Sequence, residues 1–429
     1  MRTLAALFVS LALAGPARAE RSLTLDDALT LARGKNRDLA AARERVVQAD
    51  ADVALALSKL MPTVGLKGSY VRNEKEVSLP LFGTLVTLQP LEVLSGSATV
   101  TVPLLVPPAY PGIAAARHGR AASGATLAAT DAQVLLAVAQ GYYAAAGADE
   151  LLAARREATT VTTRTLEDAR RRLDAGAASP VEVSRAELAT VLAGQAVAEA
   201  SDVRERTYRS LATLLQLPEP FSVAPAAYAV AAPAPIEELT ARALRARPEL
   251  RALQEAVEAR AAQVAANDLR WAPAVAAFGT ATTSSVAGLT GEKSAVAAGV
   301  QLEWALFDGG ARIADRSRAA SQRREAEVQL AQARDAIVDE ISDRARGVET
   351  KRSALAAAER AKALAEQTLE AVRTQYGAGT ATQIELLQAQ DAVVGAGVAL
   401  AQARFDLAVA DLRLRRSTGE FPNREDAAR

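Results

Sequence analysis

No cysteine occurs in the chain, and histidine occurs once. Disulfide staples and thiol chemistry are therefore excluded. The single histidine, His118 in Ala115-Ala116-Arg117-His118-Gly119, has no second ligand type at metal spacing, so no metal centre is expected and His118 reads as a helix-surface residue. Net charge is missing as well, since 50 Lys+Arg balance 50 Asp+Glu. A nucleic-acid partner would need a basic excess. No glycine-rich phosphate loop follows a strand pattern, and no nucleophile, base and orienting group can be grouped into a catalytic constellation. An enzyme and a cofactor are thus not expected. Beyond the N-terminal segment no uninterrupted run of 18 apolar residues exists, so no membrane-spanning helix is expected either. Aromatic residues are scarce, at 4%, although hydrophobic residues make up 50%. Alanine supplies the difference, which points to long, closely packed helices in place of an aromatic core.

Residues 1–19 read as a secretory signal peptide. Arg2 supplies the positive end, Leu4 to Ala14 the apolar run, and Ala17-Arg18-Ala19 the small-residue cleavage site. The run is too short to span a bilayer as a helix. Glu20 follows the expected cut, so no cysteine stands ready for a lipid anchor. The mature chain is expected to be exported across a bacterial inner membrane.

One stretch occurs twice and organises the rest. Residues 173–187 and 376–390 match at an offset of 203 (379 − 176): Ala175, Gly176, Ala178, Glu182 and Ala186 align with Ala378, Gly379, Ala381, Glu385 and Ala389. Each copy lies between two long Ala-rich helical patterns. Glycine closes the incoming helix because it alone takes a left-handed conformation at low cost. Ser179 or Thr382 then caps the outgoing helix, with Glu182 or Glu385 as capping-box partner. The motif is the turn of a helical hairpin, made twice. A second similarity aligns residues 25–62 with 236–273 at an offset of 211 (236 − 25), including Asp38-Leu39 with Glu249-Leu250 and Pro62 with Pro273. A repeat of about 200 residues is far longer than a solenoid unit, so the chain reads as two large structural halves.

The expected organisation runs as follows. Residues 20–217 form the first repeat, with a helix over about 25–60, a β-hairpin over 62–105 and a long helical hairpin whose tip lies near 174–180. An Ala/Pro-rich linker spans 218–235. Residues 236–419 form the second repeat, with a helix over about 236–271, a β-hairpin over 273–307 and a tip near 377–383, followed by a tail, 420–429. The strands alternate, as in Val64, Leu66, Gly68 and Tyr70, or Val296, Ala298, Val300 and Leu302. The turn of the first hairpin, about 73–95, is unusually apolar at Leu79-Pro80-Leu81-Phe82, and its conformation cannot be read. Ile341, Val348 and Leu355 recur at seven, a coiled-coil step. The runs Arg170-Arg171-Arg172 and Arg415-Arg416 read as solvated helix faces, and the first lies where it could steer an acidic partner surface.

Strands of about ten residues suffice to cross the hydrocarbon layer when tilted. Two hairpins give four strands, which cannot close a barrel, and lipid tolerates no open sheet edge. If these strands sit in a membrane, the protein must oligomerise; three protomers would give twelve strands, an even number in the known range. Trp271 and Trp304 fall at the helix-side ends of strands, where an aromatic belt would meet the membrane interface. The plainer alternative is packing in a helix–sheet junction.

With its doubled architecture, Arg247-Pro248-Glu249-Leu250, Trp304-Ala-Leu-Phe-Asp-Gly-Gly310 and the Tyr376-Gly-Ala-Gly379 tip, the mature chain resembles the TolC-like outer-membrane efflux protein family. Two segments depart from its pattern, Asn36-Arg37-Asp38-Leu39 and Val102-Pro-Leu-Leu-Val-Pro-Pro108. The resemblance implies a mainly α protein with a β-barrel part: two long antiparallel helical hairpins building an α-barrel in the periplasm, and two β-hairpins per protomer completing a twelve-stranded transmembrane barrel in a homotrimer. It implies outer-membrane lipid around that barrel, a periplasmic adaptor (membrane fusion protein) docking on the tips at Gly176, Ser179, Gly379 and Thr382, and an inner-membrane pump. An acidic residue matching Glu385 faces the narrow periplasmic mouth in the family. Glu385, with Glu182 and Gln388, is therefore expected at a gate, capping alone being the alternative for both glutamates. Gln388 stands where a second acid is often found, and Ala381 where some members carry a basic partner. The function expected is a passive exit channel of a tripartite efflux or type I secretion system in the outer membrane of a Gram-negative bacterium. A soluble periplasmic helical structural or adaptor protein is the alternative.

Overall fold

The structure is a computed structural model that describes residues 22–81, 84–217, 220–225, 230–287 and 292–421. The expected signal peptide, parts of the linker, Phe82 and the tail beyond Phe421 lie outside the described residues. The chain divides into two compact units, each drawn from separated segments: residues 1–37, 131–242 and 340–429 form one, and residues 38–130 and 243–339 the other.

The second of these carries a four-stranded antiparallel sheet in the order β2 (Thr63–Arg72), β5 (Glu92–Leu105), β7 (Ala274–Ser284), β8 (Ser294–Glu303). The expected hairpins are both present, and β5–β7 pairing fuses them into one sheet. The pleat sorts the side chains. On one face the register aligns Val64 with Val100, Gly279 and Ala298, and Leu66 with Ala98, Ala281 and Val296. On the other it aligns Gly65 with Thr99, Thr280 and Ala297, Lys67 with Ser97, Thr282 and Ala295, and Ser69 with Ser95 and Ser284. The register slips between Pro103 and Leu105, where proline has no N–H to donate to the ladder.

The apolar stretch between β2 and β5 is not an unstructured loop. β3 (Val77–Leu81) and β4 (Thr84–Gln89) pair as a separate two-stranded sheet. Asn73 closes its base: the backbone N–H donates to Leu91 O at 2.8 Å and Nδ2 to Pro90 O at 2.7 Å. This unit also holds α2 (Arg37–Ser58), α6 (Pro248–Asp268), and the first parts of α3 (Ala109–Asp174) and α7 (Ala311–Gly377). In it His118 is only partly exposed, and its Nδ1 lies 2.8 Å from a Glu255 carboxylate oxygen, within hydrogen-bond distance.

The other unit holds α1 (Leu25–Lys35), the later parts of α3 and α7, α4 (Pro180–Leu215), most of α5 (Ile236–Ala246) and α8 (Gln383–Ser417). Its core is aliphatic and small: Leu135, Val138, Ala139, Leu211 and Leu215, with Ile341 and Val348 fully buried at their seven-residue spacing. Short strands β1 (Ser22–Leu23) and β6 (Ser222–Val223) pair in parallel. The Tyr142 hydroxyl pins both, donating to Leu23 O at 3.3 Å and Ala224 O at 2.9 Å. Nearby, Tyr208 donates to Asp149 at 2.5 Å; burial and that carboxylate push its phenol up to about 12. Arg415 and Arg416 are half-buried, not on a solvated face as expected.

The single helix expected over 25–60 is two. Asn36 breaks it with an extended backbone and uses Nδ2 to bond Leu214 O at 3.2 Å. The helix expected over 236–271 breaks likewise at Arg247, because the residue before Pro248 is driven out of the helical region. Among the described residues, α3 and α8 contain stretches long and apolar enough to cross a membrane by length and composition. Alanine accounts for much of this, and Leu135, Val138, Leu407 and Leu412 on these helices are buried within the unit.

Candidate functional site

The sheet is the first candidate. Its apolar face lies uncovered: Val64, Leu66, Val296, Val300 and Leu302 are all exposed, Leu66 by 84%. The opposite face is a ladder of serine and threonine, and the Ser69 and Ser95 hydroxyls lie 2.7 Å apart. Such alternation matches the pattern of transmembrane barrel strands, which are apolar toward lipid and polar toward water. Lys67, fifth of the ten residues of β2, lies on the hydroxyl face. A lysine on the lipid side near the bilayer midplane costs about 2–4 kcal/mol. The edges β2 and β8 have no partner strand among the described residues.

The second candidate is the junction where β8 returns to α7. Gly309 and Gly310 take positive φ, 68° and 89°, and turn the chain so that Asp308 caps the helix. Asp308 Oδ2 accepts from the backbone N–H of Arg312 at 3.1 Å and from its Nε at 3.0 Å. Burial disfavours the Asp308 carboxylate, but these Arg312 interactions prevail and hold it below the usual carboxylate range. The Arg312 guanidinium, only 3% exposed, lies 4.1 Å from the Trp271 ring centre and donates from Nη1 to Arg270 O at 3.2 Å. Trp304 Nε1 donates to Trp271 O at 3.0 Å. Both tryptophans are thus tied into a helix–sheet junction while their rings stay half exposed.

The third candidate is the pair of helical tips. Gly176 and Gly379 have φ of 72° and 77°. Ser179 and Thr382 each complete a capping box, with Glu182 and Glu385 respectively. Glu385 accepts from the Thr382 backbone N–H at 2.6 Å and from its hydroxyl at 3.0 Å; the backbone bond, then the hydroxyl, lower its carboxyl below the ordinary range. Gly176, Ser179, Gly379, Thr382, Glu385 and Gln388 are exposed, and Glu182 is partly buried. The tips touch each other, since Gln383 Nε2 donates to Glu182 O at 2.8 Å. Arg172 stacks 4.6 Å from the Tyr376 ring centre, and Gln390 Nε2 donates to Thr165 Oγ1 at 3.1 Å.

Residues 28–216 and 239–420 match the outer membrane efflux protein family. The chain belongs to that family. Outer membrane efflux protein BepC of Brucella suis biovar 1 (strain 1330) is 28% identical over 258 residues, which cover 59% of this chain and 56% of that protein, little more than half its length. The fold superimposes on the crystal structure of CusC with a TM-score of 0.79 at 18% identity, covering 92% of each chain. On the Campylobacter jejuni CmeC outer membrane channel the TM-score is 0.77 at 18% identity, covering 94% of this chain and 87% of that one. At such identities the likeness to the solved structures is one of fold. Membership places the chain among outer membrane efflux proteins.

Within this efflux protein, sequence reasoning missed Arg312, Gln383, and the Arg172–Tyr376 stack. Arg312 had a usable signal in hindsight of its spacing: an arginine four residues after Asp308 can fold back on its own cap. Gln383 and Arg172 act across long separations, 201 residues in the bond from Gln383 to Glu182, and no local pattern marks them.

Proposed function

We propose that this efflux protein is a passive trimeric exit channel in the outer membrane, serving a tripartite efflux or type I secretion system. The observation that carries the reading is the sorted sheet with two open edges. Its apolar face needs lipid, and its edge strands β2 and β8 need partners that the chain itself does not provide among the described residues. Four strands from each of three protomers close a barrel of twelve. No phosphate loop or catalytic group would power transport, so the energy comes from an inner-membrane pump. A periplasmic adaptor docks at Gly176, Ser179, Gly379 and Thr382. The long helical hairpins, one in each sequence repeat, line a periplasmic tunnel, with Glu385, Glu182 and Gln388 at its mouth. Trp271 and Trp304 sit at the membrane interface, and the N-terminal signal peptide directs export.

Assembly tests the reading. Purified in detergent, the protein should run as a trimer, show circular dichroism dominated by helix with a strand component, and conduct ions in a planar bilayer. A stable, monomeric protein that needs no detergent would overturn it.

A further inference from the structure

The polar face of the sheet carries few charges, and they are not evenly placed. Lys67 sits halfway along β2, level with Ser97, Thr282 and Ala295 on the neighbouring strands. The adjacent rows are hydroxyls or small residues: Ser69, Ser95 and Ser284 on one side, Thr99 and Thr280 on the other. The Lys67 side chain makes no hydrogen bond or ion pair among the described residues. Lys293 lines the same concavity from its rim, beside Glu292. The other acid of this face, Glu303, lies eight residues (303 − 295) from the Lys67 row along β8. That is about 27 Å at about 3.4 Å per residue, against a screening length of about 8 Å at physiological salt. Arg72 and Glu92, on the opposite face, neutralise each other at 3.1 Å.

We propose that Lys67 makes this face an anion-binding level of the channel lumen, selecting for carboxylate- or phosphate-bearing solutes. The inference rests on the trimeric-channel reading. Three protomers place three ammonium groups at one height, framed by hydroxyls that donate to the oxygens of an anion. A fixed cluster of one sign in a confined pore raises the local concentration of the opposite ion. Lys67 is thus a specificity-determining residue separate from the tip carboxylates, and of the opposite sign.

The absence of cysteine makes a clean test possible, because Lys67→Cys introduces the sole thiol. Ion selectivity is measured from reversal potentials across a KCl gradient in planar bilayers. Lys67→Gln should lower the chloride-to-potassium permeability ratio by at least about two-fold. Reacting the Lys67→Cys channel with a cationic methanethiosulfonate should restore the ratio, and an anionic one should lower it further. Leu66→Cys, on the lipid face, should not respond to either reagent. Channels that conduct but whose selectivity ignores Lys67→Gln and both thiol reagents overturn this inference and leave the channel reading intact. Wild-type protein that forms no conducting channel overturns both.

Discussion

At Glu385 a helix cap coincides with the proposed gate charge. Thr382 donates twice to the carboxylate, and those bonds hold it ionised below the ordinary glutamate range. The sign follows directly. The folded value is depressed, so the cap's contribution to stability is present above the unfolded value and lost as pH falls through the folded one. Three copies at a narrow mouth would then favour cations even in mildly acidic medium. Glu385→Gln should abolish block by trivalent cations from the periplasmic side and reduce the cation preference of that mouth. Thr382→Ala should keep the charge and the block, while destabilising the tip by about 1 kcal/mol. Bilayer recordings with both variants separate the roles; unchanged block in Glu385→Gln would leave the residue a helix cap and nothing more. The capping boxes were legible because each spans three residues, whereas Gln383 reaches Glu182 through the fold.

The element proposed to meet a partner is the helical tip. A Cβ added at Gly176 or Gly379 would touch nothing within 4 Å, so a large side chain there projects into open space. Both positions also have positive φ, which penalises any branched or bulky residue. Asparagine tolerates that backbone and serves as the control. Gly379→Trp and Gly176→Trp should abolish export with undiminished protein in the outer membrane, and Gly379→Asn should export normally. Transport that survives both tryptophans would remove the tips as the docking surface. The tip glycines could be read from sequence, since each ends an Ala-rich helix before a capping residue. The breaks at Asn36 and in the β3–β4 hairpin could not. The first depends on a bond to Leu214 O, and the second on strand pairing across a stretch that reads only as apolar.

For the whole molecule, the two faces of the sheet make opposite demands. Leu66→Arg puts a charge on the proposed lipid face and should cost about 2–4 kcal/mol if that face lies near the bilayer midplane. Its folded trimer should be depleted in membranes and melt at a lower urea concentration. Ser97→Arg, one pleat away on the polar face and level with Lys67, should assemble normally. Equal tolerance of both substitutions would mean that the sheet does not separate lipid from water.

The sequence by itself determined the local and periodic features: the caps at Ser179 and Thr382, the strands alternating about Val64 and Val296, and the long alanine-rich helices. Each depends on neighbours a few residues apart, so composition and spacing suffice. Only the tertiary structure decided that β5 pairs with β7 and fuses the hairpins into one sheet. It alone stacked Arg312 on Trp271, gave His118 a carboxylate partner and set Lys67 in a field of hydroxyls. These choices join residues 30 to 215 positions apart, among them Lys67 with Ser97 (97 − 67 = 30), Arg312 with Trp271 (312 − 271 = 41) and Lys67 with Thr282 (282 − 67 = 215). At such separations the geometry comes from strand register and helix packing, which no short window of sequence contains.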